Sequence, residues 1–119
     1  MGTKVLIADD DESIRDAIKT VLQKDGFEVL EAKNGLEAIE IAKRTNVKLI
    51  LMDVEMPVVN GIEATKRLLQ INPEAIVIGI TVFKAEKGKE MFDAGAREVI
   101  GKPFSPRDLQ RTIKKLRES

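Results

Sequence analysis

Five polar residues of this sequence lie just after short apolar runs. Asp9 and Asp10 follow the first run, Asp53 the third, Thr81 the fourth and Lys102 the fifth. A carboxylate that has a metal ion, an ammonium group and a hydroxyl beside it can accept and hold a phosphoryl group. If the runs are strands whose ends meet at one edge, these residues predict a site that forms an aspartyl phosphate.

Three carboxylates at one place would repel one another, and the repulsion would raise the pKa of at least one of them. A divalent cation relieves the repulsion. A site with oxygen ligands and no His or Cys favours Mg²⁺, or Mn²⁺, over zinc. Lys102 adds a positive charge suited to phosphate, and Thr81 adds a hydroxyl. Asp53 stands alone after its run and is the candidate nucleophile.

Each of these residues has an ordinary structural explanation when it is considered alone. Asp9 or Asp10 could cap a helix, and Asp53 could belong to a turn. Thr81 could be a turn or cap residue, and Lys102 could be a solvated surface lysine. Their joint position after four of the five runs is what favours the functional interpretation.

The composition excludes several other chemistries. The 119 residues include 20 basic and 20 acidic side chains, and the zero net charge argues against direct binding to nucleic acid. The absence of Cys and His excludes disulfides, thiol catalysis, His-centred triads and a phosphoryl-donor histidine within this chain. No apolar run approaches the ~18 residues of a membrane span. We therefore expect one cytoplasmic domain over residues 1–119.

The zero net charge conceals an uneven distribution along the chain. Residues 1–60 carry 8 basic and 12 acidic side chains, whereas residues 61–119 carry 12 basic and 8 acidic ones. The acidic half supplies the three clustered Asp residues, and the basic half supplies Lys102. This split predicts an acidic metal pocket that faces a more basic surface.

Apolar runs alternate five times with helical patterns, which predicts an α/β fold with a parallel sheet and helices on both faces. The first, third and fourth runs are almost continuously apolar, as strands covered on both faces must be. The second and fifth are shorter or interrupted by charge, as edge strands often are. A flavodoxin-like, doubly wound (βα)5 sheet of order 2-1-3-4-5 satisfies this pattern, and ligands bind such sheets beyond the carboxyl ends of the strands. The predicted strands cover residues 5–8, 27–32, 49–52, 75–80 and 98–100.

The helical patterns supply the other half of each unit. The first helix carries an apolar stripe through Ile18 and Leu22 and ends at Gly26. The fourth, from about 85 to 94, is expected to turn Met91 and Phe92 inward. Gly88 lies inside that helix at a cost of about 1 kcal/mol, which suggests a loosely held element. The last helix begins at Ser105-Pro106 and buries three apolar residues, Leu109, Ile113 and Leu116.

Together these residues resemble the response-regulator receiver domain of two-component signalling, in its stand-alone form similar to the chemotaxis receivers. The resemblance covers essentially the whole chain and implies the same flavodoxin-like fold. Any one matching segment is weakly specific, but the set is highly specific. The segments are Val5–Asp10, Asp53–Pro57 leading to Asn60–Gly61, Thr81, Gly95–Ala96 and Lys102–Phe104.

The resemblance implies a role for each residue of the acidic site. Asp53 would accept a phosphoryl group from a phosphohistidine on a histidine kinase or phosphotransfer protein, or from a small acyl phosphate. Asp10, Asp53 and the backbone carbonyl of Glu55 would contact Mg²⁺, and Asp9 would act through water. Such a domain is a phosphoacceptor module that catalyses only its own phosphorylation and dephosphorylation.

The resemblance also implies how the signal leaves the site. Lys102 would pair with the phosphoryl oxygens, and Thr81 would move inward to hydrogen-bond them. The Lys102–Pro103 bond would be cis. The surface of the fourth helix, fifth strand and last helix would then shift between two populations and control the binding of a downstream protein.

Four residues depart from the pattern of the family. One of them, Asn60 in place of the usual second acid before Gly61, is expected to be harmless. Val99 occupies the position of a usual aromatic residue, so an aromatic rotamer change cannot accompany the threonine. Val82 replaces a small residue and could narrow access to Asp53. Glu55 places a further negative side chain near the phosphoryl site, where it could position water for hydrolysis or bind a metal-linked water.

Two other function classes fit this sequence less well than the receiver. An aspartate-nucleophile phosphatase uses similar groups, but places its nucleophile in a D-x-D loop after the first strand, whereas Asp53 follows the third strand here. A flavin-binding module would need a Ser-, Thr- or Gly-rich loop after the first strand. The loop here is acidic, from Asp9 to Glu12, and would repel a phosphate without a metal.

Overall fold

The fold of the chain is a five-stranded parallel sheet, described for residues 2–118 in a computed structural model. The strands are β1 (Lys4–Ala8), β2 (Glu28–Ala32), β3 (Leu49–Asp53), β4 (Ile76–Thr81) and β5 (Glu98–Gly101). Their order is β2-β1-β3-β4-β5, which confirms the predicted topology. Each predicted strand is present, with bounds within one residue at either end.

Five helices cover the two faces of the sheet. They are α1 (Glu12–Lys24), α2 (Gly35–Arg44), α3 (Gly61–Ile71), α4 (Lys84–Ala94) and α5 (Pro106–Glu118). Buried residues of α1 and α5 pack with one core cluster, whereas those of α2, α3 and α4 pack with a second cluster on the opposite face. Among the described residues, no helix is long and apolar enough to span a membrane.

The alternation of side chains along the central strands explains their continuous apolar sequence. In β1, Val5 and Ile7 belong to the core under α1 and α5. Leu6 and Ala8 belong to the core under α2, α3 and α4. Because both faces are covered, successive residues are all buried and no polar residue interrupts the run.

Side-chain caps fix where the helices begin, and so where the loops of the sheet edge lie. Asp11 caps α1 by accepting hydrogen bonds from the backbone N–H groups of Ser13 and Ile14, at 3.0 and 3.3 Å. The cap is thus Asp11 rather than the preceding acids, which are left available for another role. At α5, Ser105 and Asp108 accept hydrogen bonds from each other's backbone N–H, as the sequence indicated for this helix start.

The expectation that Phe92 points inward is wrong. Its side chain is 46% exposed, whereas Met91 is fully buried against the sheet. The buried residues of α4 are Gly88, Met91 and Ala94, spaced by three. Phe92 lies about 100° further around the helix and therefore faces solvent.

Two helical glycines with opposite surroundings give a test of this packing. A methyl group on Gly61 would overlap the backbone carbonyl oxygen of Asp53, whereas one on Gly88 would meet only Lys84 Cγ, at 3.8 Å. We expect Gly61→Ala to lower the free energy of unfolding by roughly 1–3 kcal/mol. We expect Gly88→Ala to raise it by up to ~1 kcal/mol because alanine favours the helix.

Urea unfolding followed by far-ultraviolet circular dichroism measures both changes, since the chain has no Trp or Tyr to report by fluorescence. A Gly61→Ala chain as stable as the native one would contradict the close packing of α3 on the end of β3.

Candidate phosphoacceptor site

The polar residues predicted for the site meet at the carboxyl edge of the sheet. Asp9 directly follows β1, Asp53 and Thr81 are the last residues of β3 and β4, and Lys102 directly follows β5. Carboxylate oxygens of Asp9, Asp10 and Asp53 all lie within 4.8 Å of one another. The parallel sheet thus brings together residues that are up to 93 positions apart in the sequence.

Asp9 is held by contacts to both its side chain and its backbone. Its Oδ1 accepts a hydrogen bond from the backbone N–H of Asp11, at 2.9 Å. Its carbonyl oxygen accepts one from Arg15 Nη1, at 2.8 Å, and Arg15 is braced by Glu31 at 3.2 Å. These contacts fix Asp9, which is almost completely buried, while Asp10 is exposed at the mouth of the site.

Arg15 is a supporting residue that the sequence analysis missed. The sequence does contain a signal for it, because the spacing of Arg15 and Lys19 places two cations one turn apart on α1. In the structure both pair with Glu31 of the edge strand β2. These two cations lower the pKa of Glu31 through hydrogen bonds that outweigh its partial burial. The pair therefore keeps Glu31 charged and holds Arg15 against Asp9.

Lys102 supplies a positive charge between the buried carboxylates of Asp9 and Asp53. Its Nζ lies 2.9 Å from Asp9 Oδ2 and 3.4 Å from Asp53 Oδ1. Burial by itself would lower the pKa of Lys102, but the hydrogen bond to Asp9 and the charge of Asp53 outweigh burial and raise it. Lys102 is therefore a charged ammonium group that partly neutralises Asp9 and Asp53, at the place where a phosphoryl group would bind.

Asp53 is a buried carboxylate whose charge is only partly compensated. Only 3% of the residue is exposed, and within residues 2–118 its buried Oδ1 has no hydrogen bond beyond the 3.4 Å ion pair. Burial and then the charge of Asp9, opposed by Lys102, raise the pKa of Asp53 to about 7 in the absence of metal. Among residues 2–118, Asp53 has no positive partner other than Lys102.

These observations fit a hard divalent cation. Three carboxylates converge, one buried oxygen is unsatisfied, and Asp10 leaves one side open to solvent, where a metal could keep its waters. The residues that would hold the ion are Asp9, Asp10 and Asp53, with the predicted backbone carbonyl of Glu55.

Thr81 is fully buried and its hydroxyl already has partners. It donates to the Glu55 carboxylate, with distances of 2.8 Å to Oε2 and 3.0 Å to Oε1. It accepts a hydrogen bond from the backbone N–H of Phe83, at 2.9 Å. The sequence indicated a negative charge near the phosphoryl site, but not that the Glu55 side chain would reach Thr81.

Three further residues that the sequence analysis noted, Val82, Val99 and Pro103, lie in different surroundings. Val99 is buried in the core beside Met91 and Gly79, so no aromatic ring can move there. Val82 is 56% exposed and lines an apolar groove with Pro103 and residues of α1 and α5. The Lys102–Pro103 bond is cis, as the resemblance implied. Whether Val82 restricts access to Asp53 stays a prediction.

Comparisons with known proteins agree with this geometry. The response regulator receiver domain family matches residues 5–114. The transcriptional regulatory protein SrrA of Staphylococcus aureus is 35% identical over 116 residues, which cover 98% of this chain and 48% of that protein. The chain therefore spans about half the length of the curated relatives it matches.

Solved structures show the same likeness over the whole fold. The chemotaxis protein CheY4 of Vibrio cholerae is 33% identical, covers 97% of this chain and 98% of its own, and has a TM-score of 0.89. The receiver domain of the sensor histidine kinase PA1611 of Pseudomonas aeruginosa is 25% identical over the full length of both chains, with a TM-score of 0.93. That structure holds a magnesium ion in its active site cleft.

Receiver domains are signalling modules of two-component systems rather than classical enzymes, and nothing in the comparisons supports the phosphatase alternative. The matched region contains the entire acidic edge together with Thr81 and Lys102. This chain belongs to the response regulator receiver domain family.

Proposed function

We propose that residues 1–119 form one phosphorylation-controlled switch in which Asp53 accepts a phosphoryl group in a Mg²⁺-dependent reaction. The observation that carries the proposal is the state of Asp53, a buried carboxylate with an unsatisfied oxygen between an acid pair and Lys102. Keeping the Asp53 carboxylate charged costs free energy in the unphosphorylated chain. Binding a cation and accepting a phosphoryl group would both reduce that cost.

The transfer itself is a nucleophilic displacement at phosphorus. A carboxylate oxygen of Asp53 attacks the phosphorus while the bond from phosphorus to the leaving group breaks on the opposite side. The leaving group is an imidazole nitrogen of a phosphohistidine or the acyl oxygen of a small acyl phosphate. Because this chain has no His, a histidine donor must belong to a histidine kinase or a phosphotransfer protein.

The residues around Asp53 divide the work of charge stabilisation. Mg²⁺, when bound, would neutralise the carboxylates and the transferring oxygens. Asp9 and Asp10, with Asp53 and the Glu55 carbonyl, would hold the ion, Asp9 through water. Lys102, which now pairs with Asp9 and Asp53, would turn its ammonium toward a phosphoryl oxygen.

Thr81 connects the phosphoryl site with the surface of α4, β5 and α5. Its hydroxyl accepts a hydrogen bond from the backbone N–H of Phe83, the residue just before α4. Val82 and Phe83 are 56% and 47% exposed, so a movement of Thr81 toward a phosphoryl group would shift apolar side chains on the surface. The α4–β5–α5 surface would thereby control the binding of a downstream protein.

Intact-mass analysis after incubation with acetyl phosphate and Mg²⁺ tests the acceptor directly. We expect one added phosphoryl group on the native chain and none on Asp53→Asn. The matched control is Asp93→Asn, which alters an exposed carboxylate paired with Lys89 and should be phosphorylated like the native chain. A native chain that gains no phosphoryl group and binds no beryllofluoride would overturn the proposed function.

The pKa of Asp53 also predicts how the metal-free protein responds to pH. The folded chain keeps a proton on Asp53 up to about pH 7, whereas an ordinary Asp releases it near 3.8. The folded state binds more protons between these values, so this group makes the free energy of unfolding fall as pH rises through them. At pH 8 we expect the free energy of unfolding of Asp53→Asn to exceed that of the native chain by roughly 1–2 kcal/mol. This is less than the full pKa shift implies, because structural relaxation around a buried charge lowers its cost.

Urea unfolding at pH 5 and pH 8 measures this difference, which should be clearly smaller at pH 5, where Asp53 is protonated in the folded chain but still ionised in the unfolded one. Millimolar Mg²⁺ should stabilise the native chain at pH 8 more than it stabilises the variant. A pH-independent difference between the two chains, or the same effect in Asp93→Asn, would contradict the assignment.

A further inference from the structure

The hydroxyl of Thr81 has no hydrogen left to offer a second acceptor. A threonine hydroxyl donates one hydrogen bond, and here the Glu55 carboxylate receives it, at 2.8 Å from Oε2. One of its acceptor positions is filled by the Phe83 backbone N–H, at 2.9 Å. An oxygen of a phosphoryl group on Asp53 can receive the Thr81 hydrogen only if Glu55 gives it up.

The hydrogen bond between Thr81 and Glu55 is expected to be strong. Thr81 is fully buried, so water does not compete at the hydroxyl, and the acceptor is a carboxylate. Hydrogen bonds to an ionised partner are about twice as strong as neutral ones. The bond also joins two segments, because Glu55 lies in the loop after β3 and Thr81 ends β4.

We propose that the Glu55 carboxylate is a positioning residue that retains the Thr81 hydroxyl in the unphosphorylated chain and competes with the phosphoryl group for it. The proposal rests on the phosphoacceptor function of Asp53 and adds the restraint that opposes switching. Phosphorylation exchanges one acceptor for another, so the Thr81–Glu55 bond sets how far the equilibrium lies toward the resting conformation.

The surroundings of Glu55 indicate where its carboxylate goes when Thr81 leaves. Glu55 and Lys87 line the same cleft between the β3–α3 loop and α4. Lys87 has no ion pair within the described part of the chain, whereas Lys89 on the same helix is paired with Asp93. The released carboxylate therefore has an available cation on α4, and pairing with it would carry the change from the site to that helix.

A double-mutant cycle with beryllofluoride as the probe, at saturating Mg²⁺, separates this restraint from simple charge repulsion. Glu55→Ala keeps the backbone carbonyl proposed for the metal and removes only the side chain. We expect it to bind beryllofluoride about tenfold more tightly than the native chain, a factor that equals ~1.4 kcal/mol. In a Thr81→Val background, which lacks the hydroxyl, Glu55→Ala should bring no such gain.

Two further variants control for the hydroxyl of Thr81 and for the loss of a negative charge. Thr81→Ser retains a hydroxyl, so Glu55→Ala should still tighten binding in that background. Glu63→Ala removes the same charge from the first turn of α3, where the carboxylate pairs with Arg67 and not with Thr81, and should change the affinity little. Affinities are read from the amide resonances of the site during titration.

The possible results point to different failures. An equal gain in the Thr81→Val background means that Glu55 acts only through its charge, and overturns the proposal. No gain in any background also overturns it, while leaving the phosphoacceptor function intact. A native chain that neither binds beryllofluoride nor becomes phosphorylated overturns the proposed function and this inference with it.

The role of Lys87 has its own readout. In Lys87→Gln, the shifts of the α4 amide resonances on beryllofluoride binding should be smaller than in the native chain. Lys89→Gln is the matched control on the same helix and should retain the native shifts. Equal α4 shifts in both variants and the native chain would contradict the proposed movement of the Glu55 carboxylate to an ion pair with Lys87.

Discussion

The constraint on which the rest of this structure depends is a cluster of three carboxylates in which two buried members share one ammonium group. Asp9 and Asp53 are almost completely buried, and Lys102 Nζ lies within 3.4 Å of both. The single positive charge compensates Asp9 better than Asp53, because the shorter contact of 2.9 Å is to Asp9. Asp53 therefore keeps a raised pKa and an unsatisfied oxygen, which is the state that a metal ion and a phosphoryl group would relieve.

The fold supports this arrangement from outside the charge cluster. Asp11 caps α1, and Arg15 holds the backbone of Asp9 while Glu31 braces it from the edge strand. Gly61 lets α3 begin directly against the Asp53 carbonyl, where any larger residue would displace the strand end. The acidic edge is thus costly in electrostatic free energy, and the two apolar cores on either side of the sheet provide the stability that offsets it.

The periodicity of the sequence was sufficient to predict the sheet, its order and the edge at which the site residues meet. Strand burial determines that pattern, because central strands must be apolar on both faces. Contacts that depend on rotamers and on loop geometry were not predictable: residue spacing does not reveal that Glu55 reaches Thr81 or that Arg15 reaches the Asp9 carbonyl. Phe92 was misplaced for a related reason, since the buried face of α4 contains the small residues Gly88 and Ala94 and gives a weak apolar signal.

The most direct test of the charge account is a carbon-13 NMR titration of the Asp53 carboxyl group, assigned by its loss in Asp53→Asn. Without divalent metal, the account predicts a pKa of about 7, from burial and the neighbouring Asp9. With saturating Mg²⁺ the pKa should fall well below that value, because the metal supplies the missing positive charge. An Asp53 carboxyl that titrates near the ordinary value of 3.8 without metal, and does not respond to Mg²⁺, would contradict the account.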